Sequence, residues 1–209
     1  MIKTKLNIDH DLEYKKLDYL INKNLKNNKF KNTGIFIHGK PGVGKTTFLK
    51  EICQKLLNEK VEIQGYKVPK NKLMFFNSND WIRDIQKSWI KELEFSTATK
   101  IDTSANILLI DDFGSEFTHN STLPYILNLF ESRFEFIKKQ EKNTITIITS
   151  NYSIEQLKNK YSKVINDSMT IERLFSRIQG IINLTIEFEG VDKRHPNKIE
   201  NKTFEYVDL

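Results

Sequence analysis

The chain predicts an α/β fold: a mostly parallel, doubly wound sheet flanked by helices. Three observations carry that prediction. Short apolar strands alternate with amphipathic helices through most of the sequence. The runs over residues 106–111 and 144–149 are continuously apolar or β-branched, the pattern of strands buried on both faces. Glycines, acids and amides gather just after strands, where ligands bind in such sheets.

Each element follows from its own spacing. Leu12, Leu17, Leu20, Ile21 and Leu25 recur at near-helical intervals and predict an amphipathic leading helix over 10–28. An asparagine-rich connector leads into a first strand over 34–38. A glycine-rich turn and a helix from about Lys45 to Asn58 come next, with Phe48, Leu49, Ile52, Cys53, Leu56 and Leu57 as its inward stripe. Cys53 on that stripe reads as a small core residue, not a reactive thiol. Residues 73–77 predict a second strand, and 79–93 a helix with Trp81, Ile85, Trp89 and Leu93 on one face. The buried strand over 106–111 precedes a helix over 123–139, whose inward residues are Leu123, Ile126, Leu127, Phe130, Phe134 and Ile137. After the strand over 144–149, short helices near 153–160 and 170–179 lead to a last strand over 181–188. The tail is polar, with a candidate edge strand over 203–207. The expected organisation is a leading helix and connector (1–32), a single α/β core domain (33–195) and a polar tail (196–209).

Composition narrows the function classes. With 209 residues the chain is long enough to bury a self-sufficient core, and 38% hydrophobic with 29% charged residues describes a polar globular protein. One cysteine excludes an internal disulfide framework and a cysteine-based zinc site within the chain. His10, His38, His119 and His195 are scattered without ligand spacing, so no transition metal is expected. No run approaches the ~20 apolar residues of a membrane span, and none at the start has signal-peptide length; the expectation is a cytoplasmic protein with no membrane partner. The net charge of +6 suits a polyanionic partner, but lysine and asparagine are plentiful throughout, and a solvated basic surface explains it equally well.

The chemistry is concentrated in four segments. Gly39-Lys40-Pro41-Gly42-Val43-Gly44-Lys45-Thr46, with Thr47 following, matches G-x-x-x-x-G-K-[ST] between a strand and a helix. Glycines let backbone N–H groups fold around phosphate oxygens, and the helix N-terminus adds its positive end. Lys45 is placed to meet the β- and γ-phosphates of ATP or ADP, and Thr46 to offer its hydroxyl to Mg²⁺. The strand over 106–111 ends in two acids: Asp111 as a metal carboxylate, Asp112 as the group that polarises or orients an attacking water. The strand over 144–149 leads to Asn151, an amide that reads as a γ-phosphate contact or as an ordinary turn residue. Arg173 and Arg177, four apart, share an outward helical face; on spacing alone they read as salt-bridging surface residues.

Together these segments resemble AAA+ ATPases, and within them the DnaC/DnaI-type bacterial helicase loaders and the IstB-type transposition ATPases. The residues that carry the resemblance are Gly39–Thr46, Asp111-Asp112-Phe113-Gly114-Ser115-Glu116, Thr149-Ser150-Asn151, Glu172-Arg173-Leu174-Phe175-Ser176-Arg177 and Glu189-Gly190-Val191-Asp192-Lys193-Arg194. The resemblance implies a parallel five-stranded P-loop sheet with little or no lid domain. It implies Asn151 as a nucleotide sensor, Arg177 as an arginine finger with Arg173 beside it, and Arg194 as a second-sensor-like residue. It further implies ATP-dependent assembly of copies, single-stranded DNA binding, and a replicative helicase or another AAA+ ATPase as partner. Two departures matter: Asp112 stands where many relatives carry glutamate, which implies slow hydrolysis, and the docking domain that relatives place before the core has no counterpart in the residues before Gly34.

DNA contact falls on the helix over 79–93, where Arg83, Lys87 and Lys91 lie four apart along one edge. Trp81 and Trp89 offer base stacking, but their shared stripe with Ile85 favours core packing. The first role expected is a helicase loader on single-stranded DNA. An IstB-like transposition helper on duplex DNA, a nucleotide-switched scaffold with little hydrolysis, and a small-molecule kinase are the alternatives.

Overall fold

The structure, a computed structural model, describes residues 2–7, 15, 32–58, 60–63, 66–69, 72–91, 101–116, 119–139 and 144–194. In chain order these form β1 (Ile2–Asn7), β2 (Asn32–Gly39), α1 (Lys45–Asn58), β3 (Lys60–Ile63), β4 (Tyr66–Pro69), β5 (Leu73–Asn77), α2 (Ser78–Lys91), β6 (Ile107–Asp111), α3 (Leu123–Lys139), β7 (Thr144–Ser150), α4 (Ile154–Val164), α5 (Ser168–Ile181) and β8 (Leu184–Glu189).

The five expected strands form one parallel sheet in the order β8-β2-β7-β6-β5, with helices on both faces. β1 adds a sixth strand outside β8, parallel and in register from Ile2↔Leu184 to Asn7↔Glu189. Its sequence, IKTKLN, has too few apolar residues to stand out as a strand; pairing to the β8 edge is a tertiary event. β3 and β4 form a separate antiparallel hairpin that the sequence reading leaves unassigned. Of the leading helix expected over 10–28, only Lys15, which is helical, is described. The candidate edge strand over 203–207 lies outside the described residues.

Alternation along the strands divides the core. Ile35, Ile37, Leu109, Ile147 and Ile186 face α1, meeting Phe48, Leu49, Ile52 and Leu56. Phe36, Leu108, Ile110 and Ile148 face the other way, against Trp81, Ile82 and Ile85 of α2 and the buried stripes of α3, α4 and α5. Each fully buried aliphatic or aromatic side chain contributes roughly 1.5–3 kcal/mol of transfer free energy, so both faces must be covered and the strands read as unbroken apolar runs. A continuous sheet buried on both sides leaves only its strand ends open to a ligand.

Three stripes differ from expectation. On α1, Leu57 is 46% exposed and Cys53 only packs against the core's margin; burial raises the Cys53 thiol pKa. On α2, Trp81 is buried, as core packing predicts, but Trp89 is 43% exposed and donates its indole N–H to the Tyr125 hydroxyl at 3.4 Å. On α3, the buried set is Leu123, Ile126, Leu129, Phe130, Arg133 and Ile137, so Leu127 and Phe134 sit at the margin and an arginine sits inside.

That arginine holds a junction together. Arg133 is fully buried and donates to the carbonyls of Thr103 (2.9 Å), Ala105, Asn106 (3.3 Å) and Ile145 (2.8 Å) and to the Thr146 hydroxyl (2.9 Å). The planar fork meets five acceptors on the chain entering β6 and β7, which clamps the two strands that carry the acids and the amide. Burial lowers its pKa to about 10, with Asp102 pulling the other way.

Candidate nucleotide-binding site

The loop between β2 and α1 can take its shape only with glycine at particular positions. Gly42 and Gly44 have φ of 82° and 97°, in the left-handed region. A Cβ on Gly42 would also lie 1.9 Å from the Asp192 carboxylate. The loop delivers the chain directly into α1 at Lys45, whose first-turn N–H groups have no intrahelical acceptors and favour an anion.

Lys45 points back into its own loop. Its Nζ donates to the carbonyls of Gly39 and Lys40 and to Asn151 Oδ1, all at 2.8 Å. Burial lowers its pKa to about 8, opposed by the charges of Asp112 and Asp111 and assisted by Arg194. A partly desolvated ammonium among carbonyl dipoles is a strong attractor for phosphate, which would restore its charge compensation.

The neighbouring strand ends complete the arrangement. β6 ends at Asp111, 4% exposed, whose Oδ1 accepts from Thr46 at 3.0 Å and from Thr149 at 2.6 Å. Asp112 adopts φ 56°, the one positive φ at a non-glycine among the described residues. The Thr149 hydroxyl accepts its N–H at 3.0 Å, and Asn151 Nδ2 donates to its carboxylate at 3.0 Å. Lys45, Asn151 and Asp112 thus form one hydrogen-bonded chain across the ends of β2, β7 and β6. Pro41, Gly42, Gly44, Lys45, Thr46, Thr47, Asp112, Thr149, Asn151 and Arg194 line a single open cleft.

The cleft fits a magnesium–nucleotide pair. The Thr46 hydroxyl and the Asp111 carboxylate lie 3.0 Å apart beside the phosphate loop, oxygen ligands of the kind a hard cation prefers. Among the described residues there is no group of three or more His, Cys, Asp or Glu side chains that could hold a metal. Two protein oxygens leave the remaining positions to phosphate and water, the usual way Mg²⁺ is held.

Arg194 reaches the cleft's rim, while its guanidinium pairs with Asp192 (Nε–Oδ1 3.0 Å, Nη2–Oδ2 2.8 Å). The backbone N–H of Lys193 ties this segment to the Gly42 carbonyl at 3.0 Å. Arg177 and Arg173 do not line the cleft. Arg177 lies over the Phe134 ring of α3 at 4.9 Å from its centroid, and the exposed Arg173 pairs with Glu131. On α2, Arg83 pairs with Asp80 at 2.7 Å and Lys87 with Asp84 at 3.4 Å, so two positions of the expected phosphate track already face carboxylates.

Two side chains here carry roles that the spacing did not reveal. Thr149 bridges Asp111 and Asp112, and a threonine ending a strand gives no sign of that. Glu116, quoted above only as part of a motif, is 1% exposed and joins three elements.

A parallel sheet with a glycine loop, a helix N-terminus, a buried lysine and paired acids at its strand ends defines a P-loop ATPase. The profile of the "ATPase family associated with various cellular activities (AAA)" matches residues 35–174, and the chain belongs to that family. A curated relative, "Origin of replication complex subunit 1" of Oryza sativa subsp. japonica, is 25% identical over 214 residues. That alignment covers 91% of this chain but only 25% of the relative, so the chain spans about a quarter of its length. Among solved structures, DnaI superposes with a TM-score of 0.58 at 18% identity, covering 88% of this chain and 97% of that one. The DnaC helicase loader superposes with a TM-score of 0.53 at 22% identity, covering 83% and 89%. At these identities the likeness shows a shared fold, that of DnaC/DnaI-like AAA+ ATPases with a five-stranded core sheet.

Proposed function

We propose that this chain is a DNA-replication ATPase of the helicase-loader type, which binds ATP·Mg²⁺, hydrolyses it slowly and works by nucleotide-dependent assembly on single-stranded DNA. The observation that carries the reading is the hydrogen-bonded chain Lys45–Asn151–Asp112, which links the phosphate loop to the hydrolytic acid through the sensor amide. In this account Lys45 releases its carbonyls and meets the β- and γ-phosphates. Asn151, freed from Lys45, is left to report the γ-phosphate to Asp112. Asp112 orients the attacking water and accepts its proton; with one methylene less than glutamate, it reaches less far and turnover is slow. Mg²⁺, held by Thr46 and Asp111, would neutralise charge on the phosphates.

Arg177 and Arg173 sit away from the cleft of their own chain, which supports a role for Arg177 in a neighbouring copy's site, where a guanidinium stabilises transition-state charge. Arg194 would leave Asp192 for the nucleotide. The replication proteins among the relatives support DNA and a replicative helicase or another AAA+ ATPase as partners. Among the described residues no helix is long and apolar enough to cross a membrane.

Fluorescence anisotropy of labelled single-stranded and duplex DNA tests this, with a non-hydrolysable ATP analogue or ADP, at two salt concentrations. Analogue-dependent preference for single strands, lost in Arg177→Ala, is the expected result. The same dependence on duplex would move the assignment to the transposition-helper class, and no nucleotide-dependent binding would remove DNA from the account.

A further inference from the structure

Glu116 is a buried carboxylate that touches no part of the cleft. Its Oε2 accepts the Gly114 N–H and the Ser78 hydroxyl, each at 2.7 Å, and its Oε1 accepts the Tyr161 hydroxyl. Three donors thus arrive from three places: the turn after β6, the first residue of α2 and the middle of α4. Burying an ionised group is costly unless such partners satisfy it, so the site is built around a strong acceptor.

The turn that Glu116 grips is the one that carries Asp112. Asp112 is in the left-handed region and Gly114 follows at φ 90°. A non-glycine residue held there is strained and persists only where its surroundings over-determine it. On the strand side, Thr149 accepts the Asp112 N–H and its carbonyl accepts the Phe113 N–H at 2.8 Å. Within the turn, Ser115 donates to the Asp112 carbonyl through its N–H (3.1 Å) and its hydroxyl (2.7 Å). On the far side Lys160 donates to the Gly114 carbonyl, and a Cβ on Gly114 would lie 2.1 Å from the Leu157 side chain. Glu116 fastens that far side to α2 and α4 at once.

We propose that Glu116 is a positioning residue for the ATPase reaction: by holding the Gly114 N–H against Ser78 and Tyr161, it keeps Asp112 in its left-handed conformation with the carboxylate at Asn151. The proposal rests on Asp112 being the hydrolytic acid, as set out above. What the position requires is an acceptor for an N–H that cannot reverse its polarity; the two hydroxyls can turn. Glutamine can serve, with its oxygen towards Gly114 and Ser78 and its NH₂ towards the Tyr161 oxygen. Methionine fills similar space and serves poorly as an acceptor.

The test compares Glu116→Gln with Glu116→Met in the full chain, reading kcat, KM for ATP, and hydrogen exchange over 112–116 without nucleotide. Because Glu116→Met orphans two buried hydroxyls, a triple variant that adds Ser78→Ala and Tyr161→Phe removes them and protects folding. Expected for Glu116→Met and the triple variant is a fall in kcat of about tenfold or more with KM within about twofold, and exchange over the turn faster by about tenfold. Glu116→Gln should stay within about threefold of wild type on all three readouts. Unchanged exchange in the triple variant, or a rise in KM matching the loss of kcat, would overturn the proposal. Asp112→Asn is run alongside: if it turns over like wild type, the reading of Asp112 fails, while the exchange data still decide whether Glu116 holds the turn.

Discussion

At the C-terminal ends of β2, β6 and β7, each side chain assigned to the chemistry is bonded to another such side chain. Lys45 meets Asn151, Asn151 meets Asp112, Thr46 meets Asp111, and Thr149 joins the two acids. Along α5 the pattern is different: Arg173 and Arg177 contact α3, through Glu131 and the Phe134 ring, and do not line the cleft. The first region is preorganised inside one chain, where strands buried on both faces fix the positions of their ends. The second is a pair of long side chains held on a helix surface, Arg173 against a Glu131 oxygen that is itself buried and Arg177 over an aromatic ring. On the function proposed above, the contrast is that of a site able to bind nucleotide alone but completed by a guanidinium from a second copy.

Variants separate the two regions by size of effect. Asp112→Asn should lower steady-state phosphate release on the order of 100-fold or more while ATP affinity stays within a few-fold, since it removes a general base and keeps the amide-sized hydrogen bond to Asn151. Lys45→Ala should weaken binding of a fluorescent ATP analogue by about 10- to 100-fold, the value of one or two charge-assisted hydrogen bonds. Arg177→Ala should leave that affinity unchanged and lower only the turnover that rises with protein concentration, by about tenfold or more. Arg133→Met should act on neither region's chemistry but on the junction beneath the strands, lowering stability by about 2–4 kcal/mol in denaturant titration because several buried carbonyls lose their donor.

The smallest effect is a pH dependence. Lys45 has a pKa of about 8 in the free protein, lowered chiefly by burial, and bound phosphate raises it. Nucleotide binding then takes up a proton above pH 8, so affinity should be flat below that value and decline as pH rises through it. For folding without nucleotide the sign is opposite. A lysine whose folded pKa lies below its unfolded one binds fewer protons when folded, so its contribution to stability rises from about pH 8 to 10.5. Isothermal titration of ATP between pH 7 and pH 9.5 checks the first statement.

Most of the sheet was legible because its central strands, β2, β6 and β7, are buried on both faces and must be largely apolar or β-branched. The glycine loop was legible because backbone that folds around phosphate admits few residues. What escaped was whatever depends on partners distant in sequence. The strand Ile2–Asn7 is recognisable only once β8 offers an edge. Arg133 sits at an apolar-stripe position, and five acceptors from two other segments explain why it is there. Trp89 shares the helical face of Trp81, yet it lies toward the end of α2, where the core gives way to Tyr125 and solvent. Glu116 and Thr149 were visible as letters of a motif, but their function resides in contacts that spacing does not encode.

The claim that one chain carries the nucleotide site and another supplies the arginine is tested most directly by complementation. Phosphate release would be measured for Arg177→Ala alone, Asp112→Asn alone, and the two mixed over a range of concentrations. Each variant alone should be nearly inactive, and the mixture should regain a substantial fraction of wild-type turnover, rising with concentration, because an intact acid in one copy meets an intact arginine from the other. Wild-type turnover per chain that is independent of concentration, together with full activity in Arg177→Ala, would contradict it.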